Sequence, residues 1–330
     1  MKVGLIGSVG SSLLTLQKLY EYNFDIVGVW GYEPESIQNV SGFCSLRSFS
    51  EEQGLSYFPF VKINDEKHKQ EIKDVAPDLL FIVGLSQLVD QDIIDTPKYG
   101  CVGFHPTKLP RGRGRAPLAW LVLKETEGAA TFFKIQEGTD CGEIYVQETF
   151  QLTEDDDAAS VGKKLNKCIL SALDKWLPSL KEEQRQPIGC PQDESKATYY
   201  ARRAPLDGYL EWGKDAYNLD RIVKAAAKPH PGAYSFYDDF RVIIWKSHYH
   251  KDGFPIGVIG RVVDFVDNHP VVQTGNGFLE IEVYEMKDYQ DSVVEKQLVV
   301  GSRLGYYDQY EIFKLRNEIK EIKKLINLNQ

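Results

Sequence analysis

Several features that would assign this chain to a compartment or a ligand class are missing from it. No apolar run approaches the length of a membrane-spanning helix, and the first residues contain only the short run Val3–Ile6, with no cleavage site for secretion. The five cysteines show no C-x-x-C spacing, and an odd number argues against a disulfide framework. These absences predict a soluble protein of the reducing cytoplasm with no membrane partner.

Basic residues are also in short supply. Lysine and arginine number 39 against 48 aspartates and glutamates, which gives a net charge of −9. A chain of this charge repels nucleic acid as a whole, although a local basic patch can still bind phosphate. The stretch from Gly31 to Gly54 shows the same bias, since Arg47 is its only basic residue. We therefore expect no nucleic-acid partner.

Apolar material, by contrast, is ample, and its pattern predicts the fold class. Hydrophobic residues make up 42% of the 330-residue chain, enough for a sizeable core. Short apolar runs alternate with helical stretches such as Asp65–Val75, Pro117–Lys124 and Ser160–Trp176, which is typical of an α/β, Rossmann-like parallel sheet. The predicted strands are Lys2–Ile6, Phe24–Gly28, Leu79–Leu85, Cys101–Phe104 and Thr131–Ile135.

The pattern changes in the second half of the chain. Pro187–Lys196 is rich in turn residues and is the best linker candidate. After Tyr199 comes a helix over Tyr217–Ala227, and then short strands separated by glycine and asparagine turns, which indicate a small β-barrel. We expect a catalytic domain over residues 1–195, a second domain over 196–305 and an amphipathic helical tail over 306–330.

The tail carries an apolar stripe. Its residues alternate spacings of three and four, as in a heptad repeat, but over only two to three heptads: Ile312, Leu315, Ile319, Ile322 and Ile326. A helix packed on its own subunit and a contact between two copies both fit this pattern. We expect a homodimer, with the stripe as a candidate surface.

A histidine and an aspartate stand out as candidates for chemistry. His105 lies in G-F-H-P-T-K-L-P and Asp140 in E-G-T-D-C-G-E, and each follows an apolar run that is typical of a buried strand. Loops at the carboxyl ends of neighbouring parallel strands meet in one crevice, so we expect the two side chains to lie together. A histidine beside a carboxylate can move protons near neutral pH. His248 and His250 lack a third ligand, and we expect no metal site.

These motifs resemble those of the folate-dependent formyltransferases, which include methionyl-tRNA, glycinamide ribonucleotide and sugar N-formyltransferases. The resemblance rests on P-D-L-L-F-I-V-G-L-S-Q, on G-F-H-P-T-K-L-P-R-G-R-G-R-A-P-L-A-W and on G-T-D-C-G-E-I, and it continues into R-R-A-P-L-D-G-Y-L-E-W and K-P-H-P-G-A-Y. It covers about residues 1–285 and implies an OB-like fold for the second domain.

The resemblance also implies the site. The family's catalytic set is Asn-x-His with a later Asp. His105 and Asp140 match it, whereas Gly103 stands where the family has asparagine, the residue whose amide would bind the formyl oxygen as it becomes an oxyanion. We expect His105 to supply the missing N–H donor. The implied co-substrate is N10-formyltetrahydrofolate, whose pterin is expected between two segments that bind it through backbone groups. The expected contacts are Val83, Gly84, Leu85, Ser86, Gln87, Gln136, Glu137, Gly138 and Asp140.

The acceptor predicted from the sequence is a nucleotide-linked amino sugar, carried by UDP or dTDP. Arg111, Arg113 and Arg115 cluster beside His105, and guanidinium groups suit a diphosphate. Thr107 completes the expected substrate contacts. The sequence of this loop resembles the corresponding sequence in enzymes that formylate 4-amino-4,6-dideoxy sugars for bacterial surface glycans. Enzymes of the pseudaminate-pathway type are among them. The alternatives are a methionyl-tRNA formyltransferase and a non-catalytic protein that binds folate or a nucleotide sugar.

Overall fold

The computed structural model describes residues 1–35, 42–305 and 308–328. Residues 36–41 of the acidic stretch, and the tail residues 306–307 and 329–330, lie outside the described part. The chain divides into two compact units, Met1–Arg203 and Ala204–Gln330, so the division falls later than the 195/196 boundary expected from the sequence. None of the described helices combines the length and the hydropathy needed to cross a bilayer.

The first unit contains a main sheet with helices. The strands of this unit are β1 (Lys2–Gly7), β2 (Asp25–Tyr32), β3 (Tyr57–Phe60), β4 (Leu79–Val83), β5 (Cys101–His105), β6 (Arg113–Gly114), β7 (Glu127–Lys134), β8 (Ile144–Gln151) and β9 (Tyr199–Tyr200). Seven of them form the main sheet in the order β3-β2-β1-β4-β5-β7-β8, and β6 pairs with β9 in a separate two-stranded sheet. Its helices are α1 (Gly10–Glu21), α2 (Arg47–Glu52), α3 (Glu66–Val75), α4 (Gln91–Ile94), α5 (Pro117–Lys124) and α6 (Ala158–Glu183).

One expectation about this sheet is wrong. The strands from β3 to β5 are parallel, but β7 pairs with β5 in the antiparallel direction, with His105 opposite Thr131 and Val102 opposite Lys134. Asp140 therefore does not follow the carboxyl end of a strand parallel to β5. The apolar run of β7 predicts burial, and it does so equally well for either strand direction, so the sequence carried no signal for the reversal.

Helix α6 covers this edge of the sheet. One face of the helix is buried and packs in one core with strands β1, β2, β4, β5 and β7; it carries Leu165, Ile169, Ala172, Leu173 and Trp176. The helix begins at a capping box, where the carboxylate of Asp157 accepts a hydrogen bond from the backbone N–H of Ser160 at 2.8 Å. It extends past the predicted end at Trp176 to Glu183.

The segment predicted as a linker is folded onto the first unit. The backbones of Cys190 and Ile144 of β8 pair in an antiparallel β-bridge. Just after the segment, β9 pairs with β6 in the loop that follows His105. The turn-rich segment is thus held by backbone pairing and by a side-chain contact of Gln192 with the turn that carries Asp140.

The second unit is an antiparallel sheet with the order β10-β11-β14-β13-β12, and β15 pairs with β14. Its elements are α7 (Ala216–Ala226), β10 (Ala233–Tyr237), β11 (Phe240–His250), β12 (Val262–Val266), β13 (His269–Gln273), β14 (Phe278–Lys287), β15 (Val293–Val294) and α8 (Asp308–Leu328). The predicted fold class is confirmed: an α/β unit, then a small β unit and a C-terminal helix.

Candidate active site

His105 and Asp140 meet, as predicted from the sequence. Nδ1 of His105 lies 3.6 Å from Oδ2 of Asp140, and Nε2 donates to the backbone carbonyl of Gly112 at 2.8 Å. Because a carbonyl only accepts, the proton of the neutral ring sits on Nε2 and the lone pair on Nδ1 faces the carboxylate. The same carboxylate oxygen accepts a hydrogen bond from the backbone N–H of Gly114 at 2.9 Å.

The two side chains differ in their access to solvent. The side chain of His105 is 7% exposed and that of Asp140 is 21% exposed, so a substrate reaches the carboxylate first. Asp140 adopts a left-handed backbone conformation with φ of 49°, and Gly138 two residues earlier has φ of 103°. The glycine is therefore explained by the tight turn that presents Asp140.

A neighbouring network holds this turn. Nε2 of Gln192 donates to the carbonyls of Asp140 and Gly142, and its Oε1 accepts from the guanidinium of Arg113. Arg113 in turn binds both carboxylate oxygens of Glu194, at 2.9 and 2.7 Å. This pairing raises the pKa of the guanidinium and lowers the pKa of the carboxyl. The loop of Asp140 is thus anchored through Gln192 to a buried cation.

Arg113, one of the predicted substrate contacts, is buried and bonded within the protein. Its side chain is 0% exposed, and its other contact is the hydroxyl of Tyr199 at 2.9 Å. The three arginines of the loop do not form one cluster. An extended segment would place them on one face, but the positive φ of Gly112 (73°) and of Gly114 (110°) interrupts the extended backbone between them. Arg111 and Arg115 are exposed, whereas Arg113 points inward.

Thr107, another predicted substrate contact, is also bonded within the protein. The residue is 2% exposed, its hydroxyl donates to the carbonyl of Arg111 at 2.8 Å, and its own carbonyl accepts from the hydroxyl of Thr131. These contacts close the turn between His105 and Arg111 and engage the hydroxyl of Thr107 within the protein.

Gln87 is engaged in the same way. Its Oε1 accepts from the backbone N–H of Ile63 at 3.1 Å, and its Nε2 donates to the carbonyl of Val61 at 2.7 Å. The amide ties the segment after β4 to the loop after β3. Its side chain is therefore committed within the protein, which leaves its backbone for a ligand.

The other expected folate contacts lie in two loops that remain accessible. Gly84 has φ of 64°, and a Cβ there would lie 2.1 Å from Cγ2 of Val9, so this position requires glycine on both counts. Val83 is buried at the end of β4, whereas the residues Leu85, Ser86, Gln136, Glu137 and Gly138 are partly or fully exposed.

Gly103 occupies a closed position rather than an open one. It pairs with Phe133 across β5 and β7, and a Cβ there would lie 2.8 Å from the ring of Phe133 and 3.0 Å from Cγ1 of Ile135. The space that an asparagine side chain needs is filled by these two apolar groups. Gly103 therefore contributes close strand packing, and the family's amide has no room in this fold.

The geometry favours proton transfer over oxyanion binding for His105. Its only N–H in the neutral form is bonded to Gly112, and the hydroxyl of Thr107 and the amide of Gln87 are occupied as well. Nδ1, however, is open to a proton, and the imidazolium that results would lie against the carboxylate of Asp140. The pair can therefore take up one proton and return it.

The sequence did not predict three features of this network: the contacts of Gln192, the contacts of Glu194 and the burial of Arg113. Gln192 and Glu194 lie 79 and 81 residues after Arg113 in sequence, inside the segment expected to be a linker. One signal was present: a turn-rich segment with a run of polar residues, Q-D-E, next to a cysteine and a proline. Such a run is also typical of a solvated surface, so it could not single out the network.

Comparisons with known proteins identify a family for both units of the chain. Residues 46–175 match the model of the Formyl transferase family, and residues 204–293 match that of the Formyl transferase, C-terminal domain. The bifunctional polymyxin resistance protein ArnA of Wigglesworthia glossinidia brevipalpis is 29% identical over 243 residues, which are 73% of this chain and 36% of the relative. The chain thus spans about a third of that relative's length.

Two solved structures share the fold. The N-formyltransferase of Helicobacter canadensis, crystallised with folinic acid and dTDP-3-aminofucose, is 15% identical with a TM-score of 0.66, over 86% of this chain and 99% of its own. WlaRD, a sugar 3N-formyl transferase crystallised with dTDP and 5-N-formyl-THF, is 17% identical with a TM-score of 0.63, over 90% and 99%. The predicted resemblance is confirmed: the chain belongs to the formyl transferase family.

Proposed function

We propose that this protein transfers a formyl group from N10-formyltetrahydrofolate to the amine of a nucleotide-linked 4-amino-4,6-dideoxy sugar, in the synthesis of bacterial surface glycans. The observation that carries the proposal is the pair of His105 and Asp140, in which His105 directly precedes the loop that exposes Arg111 and Arg115. One half of this arrangement moves a proton, and the other offers positive charge to a diphosphate.

In the proposed reaction, the neutral amine attacks the formyl carbon. A new C–N bond forms, the carbonyl oxygen takes the negative charge, and the C–N10 bond then breaks. The proton that the amine loses passes to Asp140 and Nδ1 of His105, and the pair returns it to N10 of the leaving folate. The exposed carboxylate is the group that meets the amine, while the buried ring holds the charge.

The folate is proposed to lie between the segments Val83–Gln87 and Gln136–Asp140, held by backbone groups. Gly84 and Gly138 have no side chain in these loops, and the side chain of Gln87 is engaged within the protein. A backbone N–H or an ordered water then carries the oxyanion role that the family gives to asparagine. The crystallised neighbours with folinic acid and 5-N-formyl-THF support this class of co-substrate.

Two observations support the proposed acceptor: the charge of the protein and the ligands of the structurally similar proteins. A net charge of −9 disfavours a tRNA acceptor, whereas two exposed arginines beside the proton-transfer pair suit a nucleoside diphosphate. Both crystallised neighbours were studied with dTDP or a dTDP-sugar. The proposal includes a cytoplasmic homodimer as the working form.

The test is incubation of the protein with N10-formyltetrahydrofolate and a panel of acceptors, followed by the mass of each product. The panel holds UDP- and dTDP-linked sugars with the amine at C4 or at C3, and charged initiator tRNA at moderate salt. We expect formylation of a 4-amino sugar and none of tRNA. Formylation of tRNA without sugar turnover would overturn the proposal, as would ligand binding with no product at all.

A further inference from the structure

Helix α8 presents an apolar stripe that the described parts of the second unit leave uncovered. The five stripe residues keep roughly half of their surface in solvent: Ile312 48%, Leu315 55%, Ile319 50%, Ile322 55% and Ile326 55%. A helix packed on its own subunit buries such residues. The alternative of a tail packed in cis is therefore disfavoured, and the stripe lacks a partner within the described part of this chain.

The stripe fits the core of a two-stranded coiled coil. In heptad notation Ile312, Ile319 and Ile326 take the a positions, and Leu315 and Ile322 take the d positions. β-branched residues at a with leucine at d favour two strands. The described helix has 21 residues, which is three heptads.

The charges beside the stripe identify the second strand and its direction. Glu311 and Glu318 occupy g positions, and Arg316 and Lys323 occupy e positions. In a parallel, in-register pair each g residue faces the e residue five positions later on the other helix, so Glu311 meets Arg316 and Glu318 meets Lys323. An antiparallel pair would set glutamate against glutamate and cation against cation.

We propose that α8 binds α8 of a second copy of this chain as a parallel, in-register, two-stranded coiled coil. The pairing is isologous, since the same surface serves both copies and a twofold axis runs along the coil. Four complementary charge contacts, two from each chain, flank the apolar seam. The occupant is therefore another copy of this chain, because the charges of α8 complement themselves.

The first experiment measures mass in solution across a concentration series, by light scattering and sedimentation, on the full chain. We expect twice the chain mass of 37.5 kDa for the wild type and the monomer mass for Ile319→Lys. Asn317→Lys is the matched control, since it adds the same charge at the outward f position and should remain dimeric. Far-UV circular dichroism and the unfolding midpoint verify that each variant is folded.

The second experiment tests the charges and the direction. Glu311→Lys with Glu318→Lys should give monomers, and so should Arg316→Glu with Lys323→Glu, while an equimolar mixture of the two should dimerise. Under mild oxidation, Ile312→Cys should cross-link through residue 312, as shown by mass spectrometry of the peptides, and Asn317→Cys should not. An antiparallel pair would hold the two introduced thiols about 20 Å apart.

Three results would overturn the proposal. They are a monomeric wild type, a dimer that survives Ile319→Lys and both charge reversals, and a stoichiometry above two. Formyl transfer is a separate measurement on the same variants, because no residue of α8 belongs to the proposed site. Loss of the dimer and failure of the proposed function can therefore be distinguished.

Discussion

The side chain of Gln192 binds the backbone carbonyl of Asp140, with 2.9 Å between Nε2 and the oxygen. A second hydrogen bond from the same amide reaches Gly142 at 2.7 Å, so both donors serve the turn in which Asp140 has φ of 49°. Arg113, with no exposed surface, binds Oε1 and thereby determines which way the amide faces. A residue outside the catalytic pair thus controls the position of the carboxylate.

We predict that Gln192→Ala and Gln192→Glu each lower kcat about tenfold, since each lost hydrogen bond contributes about 1 kcal/mol and the carboxylate must be placed accurately. Glutamate keeps the size of the side chain but lacks the donors, so it should not restore activity. Steady-state kinetics should show the loss in kcat rather than in KM for the sugar.

Gln70→Ala is the matched control for Gln192, because Gln70 is an exposed residue of α3 whose amide binds Asp74 on the same helix. Its activity should equal that of the wild type. If Gln192→Glu were less stable but had the kcat of the wild type, Gln192 would be a structural residue only.

The proton-transfer pair gives the second prediction. His105→Ala and Asp140→Ala should each lower kcat at least a hundredfold, in the range expected for a lost general acid–base group. Gln87→Ala and Thr107→Ala should lower kcat far less, because their side chains hold loops together. Near-normal turnover in His105→Ala would refute the mechanism. A loss of kcat in Gln87→Ala as large as that expected for His105→Ala, with an intact fold, would assign a catalytic role to Gln87.

The sequence predicted the proximity of His105 and Asp140 better than their surroundings. The two residues stood out because a histidine and an aspartate lie in two turns after buried strands. The burial of Arg113 was not predicted, because an arginine between glycines is typical of a solvated loop and its partners Gln192 and Glu194 are distant in sequence. Long-range polar contacts of this kind leave no local pattern.

The antiparallel direction of β7 could not be predicted from the sequence, for a related reason. A fully buried strand shows a continuous apolar run in a parallel or an antiparallel sheet, and the pairing of His105 with Thr131 is a property of the assembled sheet. Periodicity nevertheless placed most elements to within a few residues, as for the strand predicted at Leu79–Leu85 and found at Leu79–Val83. Local patterns therefore fixed where elements form, and tertiary contacts decided how they pair.

The third prediction separates the two exposed arginines. Arg111 lines a small cavity together with Glu125 and Glu127, which oppose a phosphate, whereas Arg115 forms no ion pair within the described residues. We expect Arg115→Ala to raise KM for the nucleotide sugar about tenfold or more, as for a lost hydrogen bond to a charged group, and Arg111→Ala to raise it less.

Arg185→Ala serves as the control for these variants, since this arginine is exposed beside Glu183 at the end of α6. Neither kcat nor KM for folate should change much in the three proteins. Equal KM values for the sugar in Arg115→Ala and Arg185→Ala would remove Arg115 from the acceptor site.

The fourth prediction concerns the carboxylate of Asp156 at the start of α6. Burial raises its pKa, but hydrogen bonds from Lys164, Ser160 and Thr153 outweigh this effect and lower the pKa from 3.8 to about 2. Because the folded-state pKa lies below the unfolded value, the stabilisation is fully present above about pH 4 and is lost as the pH falls towards 2. Asp156→Asn should therefore lower the free energy of unfolding by about 2 kcal/mol at neutral pH.

Urea unfolding of the wild type and Asp156→Asn between neutral pH and pH 3 measures this difference, which should narrow below about pH 4. Asp155→Asn is the matched control, since the neighbouring aspartate is exposed, and it should match the wild type at every pH. A difference that stays constant with pH would show that the titration of Asp156 does not contribute.

The fifth prediction tests whether the missing asparagine can be restored. In Gly103→Asn the new Cβ would press on the ring of Phe133, which is 5% exposed and has little room to move. Such overpacking costs about 1–3 kcal/mol, so we expect a lower unfolding midpoint and no gain in kcat.

Gly103→Asn combined with Phe133→Ala creates the space that the amide needs, and Phe133→Ala alone is its matched control. The two variants share the cavity left by the ring, so any difference between them reports the amide itself. An oxyanion donor typically lowers the barrier by about 2.7–4 kcal/mol, and a well-placed amide in the double variant should raise kcat above that of Phe133→Ala. If Gly103→Asn alone were as stable as the wild type and more active, the packing of Phe133 against Gly103 would not be what keeps the amide out of this site.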